Sequence, residues 1–586
     1  MDDVGPSTTR RALLAGASVG ATSALAGCWE RLWSQAETAS PEQVSVTIKT
    51  VPADDDKLAA AIASQLRENY RAAGIEASHE PVTEADLYRD VLLEDDYDVF
   101  VARHSGLDDC DALYGLLHSR FNSEQGWQNP FHFTDVTADE YLEDQRSAAE
   151  DERGDVLADL IEHLHQTVPY TVVAYPHAIC GVHDRLGSVP APPRRPHEYM
   201  RILAHEGYDR RDRPLEIGVY GEELTERLNP LTVDRNRIDG LLGLLYDPLA
   251  RRIDDVYVPW LAEDVEWDQE GRLTARVSLR EGLEWHDGEP LVASDVAFTL
   301  DLLTDTSMGA VEDTVPAPRF RSRRTLIDGV ELYGPRTFDL AFVDTTREVA
   351  RRALTIPVLP EHVWAERSEL VADRHPEALA HDNDDPVGSG LFATGEASGS
   401  NTFELEPFDD HVFRGTTDRP SVLEGFSRFE GLRFRIAPNP GALIEALDEG
   451  EIDVTASGVP PSRVGEIRES TVASTVSEPT DDFYLIGYNH HHPELGNPHF
   501  RRICSKLIDR DHAVDEPFEG FAEVPRSPNG LVGIHDDVWE ADGQFVDHVD
   551  PDLLSFPGTD GEVDPVRARD LFREIHYSYE NGDLIE

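Results

Sequence analysis

Apolar positions along the chain switch repeatedly between a period of two and a helical period. Val44, Val46 and Ile48 alternate with Ser45, Thr47 and Lys49, the pattern of a half-buried strand. Leu58, Ile62, Leu66 and Tyr70 then recur at helical spacing up to Gly74, a residue suited to the left-handed position that ends a helix. Residues 75–82 read as extended, 86–93 as a short helix and 97–101 as a strand, which is a β-α-β alternation. Residues 134–165 read as helical and charged, and 168–175 as a strand opened by Pro169. Further on, Leu273, Ala275, Val277 and Leu279 again alternate with polar residues. Asp287-Gly288 and Pro290 are turn residues, and Val296, Leu300 and Leu302 lie close to helical spacing with Phe298 beside them. Residues 271–302 are therefore expected to form a strand, a tight turn and a helix. The stretch 188–214, with Pro190, Pro192, Pro193 and Pro196, reads as a linker. The fold class expected from this alternation is α/β.

Charge narrows the function. The 586 residues are enough for several domains, and they carry 114 Asp+Glu against 52 Lys+Arg, a net charge of -62. Lys49, Lys57 and Lys506 are the lysines; the other basic residues are arginines. Nucleic acid is excluded as an expected partner, because phosphate binding needs a basic surface. High acidity also fits disorder, but 40% hydrophobic residues, eight Trp and 22 Phe argue for a folded chain. Surface carboxylates at this density suit high salt, where their repulsion is screened, so a halophilic source is expected. Cys28, Cys110, Cys180 and Cys504 are too far apart for a CxxC metal or redox motif. The last three read as small buried hydrophobes, with a disulfide between two of them left open.

The first residues have their own logic. Thr9-Arg10-Arg11-Ala12-Leu13-Leu14 resembles a twin-arginine export signal, followed by an Ala/Gly-rich apolar stretch too short to span a membrane. Leu25-Ala26-Gly27-Cys28 resembles a lipobox, which implies cleavage before Cys28 and a lipid on its thiol. Residues 28–43 read as a tether. The body is expected outside the cell, held to the membrane through Cys28.

Leu279-Arg280-Glu281-Gly282, Trp285-His286-Asp287-Gly288-Glu289-Pro290-Leu291 and Ala293-Ser294-Asp295-Val296 together resemble the hallmark of the family 5 extracellular solute-binding proteins, the oligopeptide, dipeptide and nickel binders of ABC importers. Where that family usually has a Thr helix cap this chain has Val292, so Ser294 or Asp295 would have to cap. Further matches follow in family order: Leu215-Glu216-Ile217-Gly218-Val219, Leu228-Asn229-Pro230, Tyr246-Asp247-Pro248-Leu249, Val258 to Trp267, Pro386-Val387-Gly388-Ser389-Gly390, Glu449-Gly450-Glu451-Ile452-Asp453 and the helices at 500–510 and 564–572. Residues 62–101, 108–117 and 153–176 resemble the final third of the family, which here comes first. The resemblance implies a two-lobed, periplasmic-binding-protein-like fold with an accessory domain, circularly permuted. The domains expected are the signal (1–27), the tether (28–43), part of the second ligand lobe (44–187), a linker joining the old termini (188–214), part of the first lobe (215–255), the accessory domain (256–385), more of the first lobe (386–456) and the remainder of the second (457–586). Permutation further requires Glu42 and Glu586 to lie near each other.

In peptide-binding relatives the strand equivalent to 97–101 is followed by a Trp and by an acidic residue that holds the peptide amine. The resemblance implies His104 for the first and Asp108 or Asp109 for the second; the bland reading is that both are surface carboxylates. Asn229, in the loop after the first strand, is a further ligand candidate. His490-His491-His492 cannot all face one ion from a strand and reads as a solvated loop; no metal and no cofactor is expected. Gly388-Ser389-Gly390 lacks the Lys of a phosphate loop and reads as a turn re-entering the first lobe. The function implied is delivery of a small solute, by majority a peptide, to an ABC permease by a monomeric, non-catalytic protein that closes around its ligand. A sensor presenting its bound state to a membrane receptor would use the same fold. A secreted hydrolase finds no support in any G-x-S-x-G or H-E-x-x-H motif.

Overall fold

The computed structural model describes residues 42–585, apart from 125, 206–210, 222–227, 234–237, 239, 313, 373–374, 396–400, 415, 417, 457 and 536–554. Arg10, Arg11 and Cys28, the expected export signal and lipidation site, lie outside the described residues.

The described chain opens with β1 (Ser45–Thr50), α1 (Lys57–Ala73), β2 (Glu76–Pro81) and β3 (Val99–His104). Asp56 starts α1 by accepting the Leu58 and Ala59 N–H groups, and Gly74 ends it in the left-handed region at φ 99°. α2 (Ala112–Leu117), α3 (Val136–Ser147) and α4 (Glu150–Thr167) lead to the long strand β4 (Tyr170–His183). The single helical run expected over 134–165 is two helices, because Ala148 and Ala149 are extended. After β4 come α5 (Pro196–Ala204), β5 (Leu215–Tyr220), β6 (Ala262–Asp268), β7 (Thr274–Leu279), α6 (Ala293–Thr304), β8 (Ile327–Leu332) and β9 (Thr337–Phe342). The chain continues through β10 (Phe392–Thr394), β11 (Thr402–Pro407), β12 (Leu432–Ala437), α7 (Pro440–Asp448), β13 (Val454–Thr455), β14 (Ala473–Pro479) and β15 (Phe483–Tyr488). It closes with α8 (Pro498–Lys506), β16 (Ala522–Glu523), α9 (Pro565–Glu574) and the hairpin β17 (Ser578–Glu580)–β18 (Asp583–Ile585).

Strand, turn and helix do form over 271–302. β7 pairs antiparallel with β6 and β9 in a four-stranded sheet ordered β8-β9-β7-β6. Its alternation buries Ala275, Val277 and Leu279. Gly288, at φ 86°, makes the turn, and Asp287 accepts the Glu289 N–H. Of the two candidates for the cap of α6, Asp295 serves: its carboxylate reaches back to the Val292 N–H at 2.8 Å and takes the Glu361 N–H at 3.1 Å. Gly388 and Gly390 are required by close approach, since a Cβ on either would lie within 2.1 Å of the Leu245 or Leu244 carbonyl oxygen.

The main sheet has twelve strands in the order β10-β11-β12-β5-β13-β4-β15-β3-β1-β2, with β14 and β16 also paired to β4. β4 changes company along its length. Its first half pairs with β15 and β16, and its second half, from His177 to His183, with β14. The chain returns across the same boundary at Thr480–Asp482, between β14 and β15. The sheet thus belongs to two lobes joined by two neighbouring crossings among the described residues, near Pro176-His177 and at 480–482.

The apolar cores divide the same way. One cluster unites the first lobe (Ile217, Phe434) with the 256–385 region (Trp260, Trp285, Leu302). A second holds Ile48, Ile62, Leu66, Tyr488 and Phe572. Each fully buried side chain of this kind contributes about 1.5–3 kcal/mol by leaving water. Val464 and Ile467 pack with Leu443 and Leu447 on the first-lobe side, so that lobe extends to the crossing at 480–482, beyond the boundary at 457 expected from sequence. The 188–214 linker is also more than a connector: α5 buries Tyr199, Met200, Ile202 and Leu203 in the first core.

At the other end of the second lobe, Gln43 bridges to Ile585, the Val44 N–H donates to Leu584 O at 2.9 Å, and Leu584 N–H donates to Gly74 O at 2.8 Å. Glu586 itself lies outside the described residues. Cys110, Cys180 and Cys504 are buried free thiols.

Candidate functional site

Parallel strands offer ligands the crevice beyond their carboxyl ends. In the second lobe those ends are Thr50 of β1 and His104 of β3, the latter paired with Phe483 just past the crossing. In the first lobe they are Tyr220 of β5 and Thr455 of β13. Both sets of ends face the boundary between the lobes. α1 and α7 begin at the same boundary, from opposite sides, capped by Asp56 and Asn439.

The crevice is built from charged and aromatic groups. Asp56 is half-buried and accepts the Tyr484 hydroxyl at 3.0 Å besides its two cap N–H groups. Burial pushes its carboxyl up, against the hydrogen bonds from Ala59 and Tyr484. Burial together with Asp56 holds the Tyr484 hydroxyl well above its ordinary range, in keeping with its place as the donor to Asp56. Burial holds the Tyr220 hydroxyl of the first lobe above its ordinary range, with Asp56 of the second lobe adding to the shift and Arg103 opposing it. Arg103 donates through Nε at 3.0 Å and Nη2 at 2.5 Å to Asp482, which also takes Arg194 at 2.6 Å. Burial opposes ionisation of Asp482, but Arg194 and Arg103 outweigh it and bring its pKa down to about 2. Asp481 pairs with Arg195 beside it. The crossing is therefore clamped by guanidiniums from both lobes. Gly106 makes room for it: φ is 85°, and a Cβ there would sit 2.7 Å from Asp481 O.

His104 lies on the floor of this crevice. Its ring stacks on Phe483 at 4.8 Å and meets Trp127 edge-on at 5.2 Å. It is 8% exposed, and Nδ1 is buried without a hydrogen-bond partner. Burial pushes its pKa down to about 4, against the pull of Asp482.

The other candidates from sequence sit elsewhere. Asp108 is turned toward the 256–385 region and accepts Arg323 at 2.6 Å and Arg352 at 2.8 Å. Asp109 takes the Asp111 N–H at 2.8 Å and Arg153 at 3.0 Å. Neither is the free surface carboxylate of the bland reading. Asn229 is 1% exposed; its amide donates to Ala378 O and His381 O, both at 2.8 Å, and its oxygen accepts the Leu231 N–H. These bonds are structural braces. The structure brings His104 into the crevice and leaves Asp108, Asp109 and Asn229 outside it.

The loop of three histidines is also less solvated than expected. His490 donates its Nε2–H to Pro169 O at 3.1 Å and meets Phe133 edge-on, and burial brings its pKa down to about 3. His491 stacks on His132 at 4.3 Å. Among the described residues no group of three or more His, Cys, Asp or Glu could hold a metal ion.

Asp56, Arg103, Tyr220, Asp482 and Tyr484 escaped the sequence reading. Asp56 carried a signal, an Asp directly before a helical apolar pattern. Arg103 and Asp482 carried none, because their pairing spans 379 residues.

The family model described as bacterial extracellular solute-binding proteins, family 5 Middle, matches residues 256–586, more than half of the chain. Among curated relatives, a Brucella melitensis protein named as a binding protein is 26% identical over 65% of this chain and 64% of its own length. A Brucella ovis protein named as an ABC transporter peptide-binding protein is 25% identical over 41% of each chain. The chain thus spans about 64% of the first of these relatives. Similar solved structures include the oligopeptide-binding protein AppA of Bacillus subtilis with a nonapeptide (19% identity, 65% of this chain, 67% of that one, TM-score 0.47) and NikZ of Campylobacter jejuni with Ni(L-His) (16%, 64%, 65%, TM-score 0.42). Among the described residues no helix is long and apolar enough to cross a membrane.

Proposed function

The chain belongs to family 5 of the bacterial extracellular solute-binding proteins, and from that premise we propose that it captures a small solute, a peptide by preference, and delivers it to an ABC permease without chemical change. The observation that carries this reading is the crevice itself. Two lobes with separate apolar cores present the carboxyl ends of their parallel strands to each other and are joined by two adjacent strand crossings. Such a construction lets one lobe swing against the other and enclose a ligand.

Arg103, Tyr220 and Asp56 are the polar groups that such a ligand would meet, with His104 and Trp127 as an aromatic floor. A peptide backbone suits this mixture, since it offers donors, acceptors and apolar side chains together. Asp108 and Asp109 are already matched by arginines, so a ligand amino group would have to use Asp56. The Asp56 carboxylate, held up by burial, gains most from a cation placed beside it.

Arg10-Arg11 would direct export and Cys28 would carry the lipid that keeps the body, as a monomer, at the outer face of the membrane. The order of the segments would be a circular permutation, with 44–176 completing the lobe that 483–585 begins; the crossing near Pro176-His177 ends that part before the 187 expected from sequence. The pairing of Gln43 with Ile585 supports this, because it makes the two segments neighbours in one lobe. The net charge of -62 supports adaptation to high salt.

The test is mass spectrometry of small molecules released from protein purified in molar salt, followed by thermal melts with a defined peptide mixture. A ligand at a hundred times its Kd would add about 2.7 kcal/mol to stability. A retained peptide, or a melting point that rises with peptide concentration, is the expected result. No released solute and no shift with any peptide would overturn the proposal.

A further inference from the structure

The second lobe also meets the first-lobe body beside the crossings, along a seam that runs from Asp108, two residues past the Gly106–Asp481 contact, to Glu124. We propose that this seam is an ionic latch which holds the closed form, with Arg352 as its centre and the acidic loop 108–111 as its catch. The inference rests on the reading of the molecule as a hinged, closing binder and adds to it a device that acts without the ligand.

The seam is built by opposite charges. From the first-lobe body come Arg252, Arg321, Arg323 and Arg352; from the second lobe come Asp108, Asp111 and Glu124. Arg352 is 2% exposed and reaches both Asp108 and Asp111. Arg323 adds a second guanidinium to Asp108, and Arg252 donates to the Asp108 carbonyl. Arg321 grips Glu124 with two bonds, at 2.7 and 2.8 Å. On the lobe side Arg146 braces Asp111 at 2.5 and 3.1 Å, lies over the Tyr114 ring at 3.3 Å, and offers its own carbonyl to the Thr346 N–H. Burial resists ionisation of Asp108, yet Arg323 and Arg352 outweigh it and hold the carboxyl far below its ordinary range.

Three observations make this a latch and not a fixed joint. First, the apolar clusters of the two bodies remain separate, so no shared core spans the seam. An interface of charge pairs and backbone bonds without an apolar core is the kind that separates. Second, four guanidiniums gathered on one face are a marked concentration in a chain with more than twice as many acidic as basic residues. High salt screens the surface carboxylates, whereas these pairs are buried and least screened, so their attraction persists. Third, the fit is close. Gly115 of α2 leaves so little room that a Cβ there would lie 2.6 Å from the Ser322 side chain, so the seam has one seated position.

The latch also has a consequence for specificity. It occupies the carboxylates at 108 and 111, and a ligand cannot use them while the protein is closed.

Hydrogen exchange and small-angle scattering on the full, ligand-free protein in molar salt test this. Arg323→Gln and Asp108→Asn, both at partly exposed positions, leave the two cores intact. They should speed exchange at 112–118 and 346–352 together by roughly tenfold or more and raise the radius of gyration, while β1 and β5 keep their protection. The double variant should be less than additive, since both changes remove one pair. Arg276→Gln, which breaks an exposed pair within the four-stranded sheet, should leave the seam unchanged. Arg352→Gln should open it furthest; if that variant does not fold, the two partly exposed changes decide. Unchanged exchange and unchanged dimensions in Arg323→Gln and Asp108→Asn would overturn the latch. So would seam amides that exchange only when the whole lobe unfolds. Neither result depends on a ligand, so the latch can fail while peptide binding stands, and the reverse.

Discussion

Replacing His104 with Phe should remove a defined part of the protein's pH-dependent stability. The imidazole is 8% exposed, stacked on Phe483, and has a pKa of about 4 in the fold against 6.5 unfolded. Its folded pKa is depressed and it is a base. Between these values the unfolded chain binds the proton and the folded chain does not, so stability falls as pH falls from about 6.5 toward about 4 and levels off below. At about pH 7 the penalty is only a few tenths of a kcal/mol. At about pH 5 nearly all unfolded His104 is protonated and little of the folded form is, which amounts to about 2 kcal/mol at 1.36 kcal/mol per unit. Urea unfolding in molar salt at these two pH values measures it. His104→Phe keeps the ring packing and drops the titration, so the wild type should lose about 2 kcal/mol more than the variant over this interval. His197 and His490, whose pKa values burial also lowers, contribute equally to both proteins and cancel in the difference. Identical pH slopes for the two proteins would refute the buried, neutral state of His104 and with it the dry floor of the crevice.

Asp482→Asn should destabilise the protein at neutral pH by about 2 kcal/mol, the worth of a carboxyl held down to about 2 by Arg194 and Arg103; chemical denaturation checks this. Asp482 has a depressed pKa, so the difference from wild type is present above about pH 4 and should shrink as pH falls toward about 2. Cys28→Ser should release the protein from membranes into the medium, and lipid-sensitive mass spectrometry of the wild-type N-terminal peptide should find acyl chains on the thiol. A rearranged gene that begins near Leu215, runs to 585, joins directly to 43 and ends near Arg213, so that α5 and Arg194 are kept, should give a folded protein with the same melting behaviour. Failure to fold with several joining lengths would count against the permutation.

Much of the fold was legible because its signals are local. Gly74 announced a helix end, Asp287-Gly288 a turn, and Leu273 to Leu279 a half-buried strand, and each rests on residues a few positions apart. The capping role of Asp295 was also within reach as one of two candidates, since it stands three residues after Val292, the position before the helix, and its carboxylate can reach back to the Val292 N–H. Strand order was not visible from such signals. β4 reads as one apolar strand, and nothing in its sequence says that its two halves belong to different lobes. The same holds for the charged groups. Asp108 was a candidate ligand contact by the family resemblance, and nothing local showed that its partner was Arg352, 244 residues away; Arg103 looked like any other arginine until Asp482 was beside it.

That distance also explains how so acidic a chain uses its few cations. A surface ion pair between neighbours contributes little, and salt screens it further. Arginines placed where distant segments meet do more. Arg103 and Arg194 bind the crossing from both lobes through one carboxylate, and Arg352 binds the acidic loop from across the seam. Each carboxylate so paired has its ionisation favoured against burial, and each pair forms only when two remote parts of the chain are correctly placed. Arginine suits these positions better than lysine, because its planar fork makes two bonds at once and stays charged when buried. The scarcity of lysine and the placement of arginine at lobe boundaries follow from one requirement. A chain whose surface repels itself must concentrate its attraction at the contacts that set its shape.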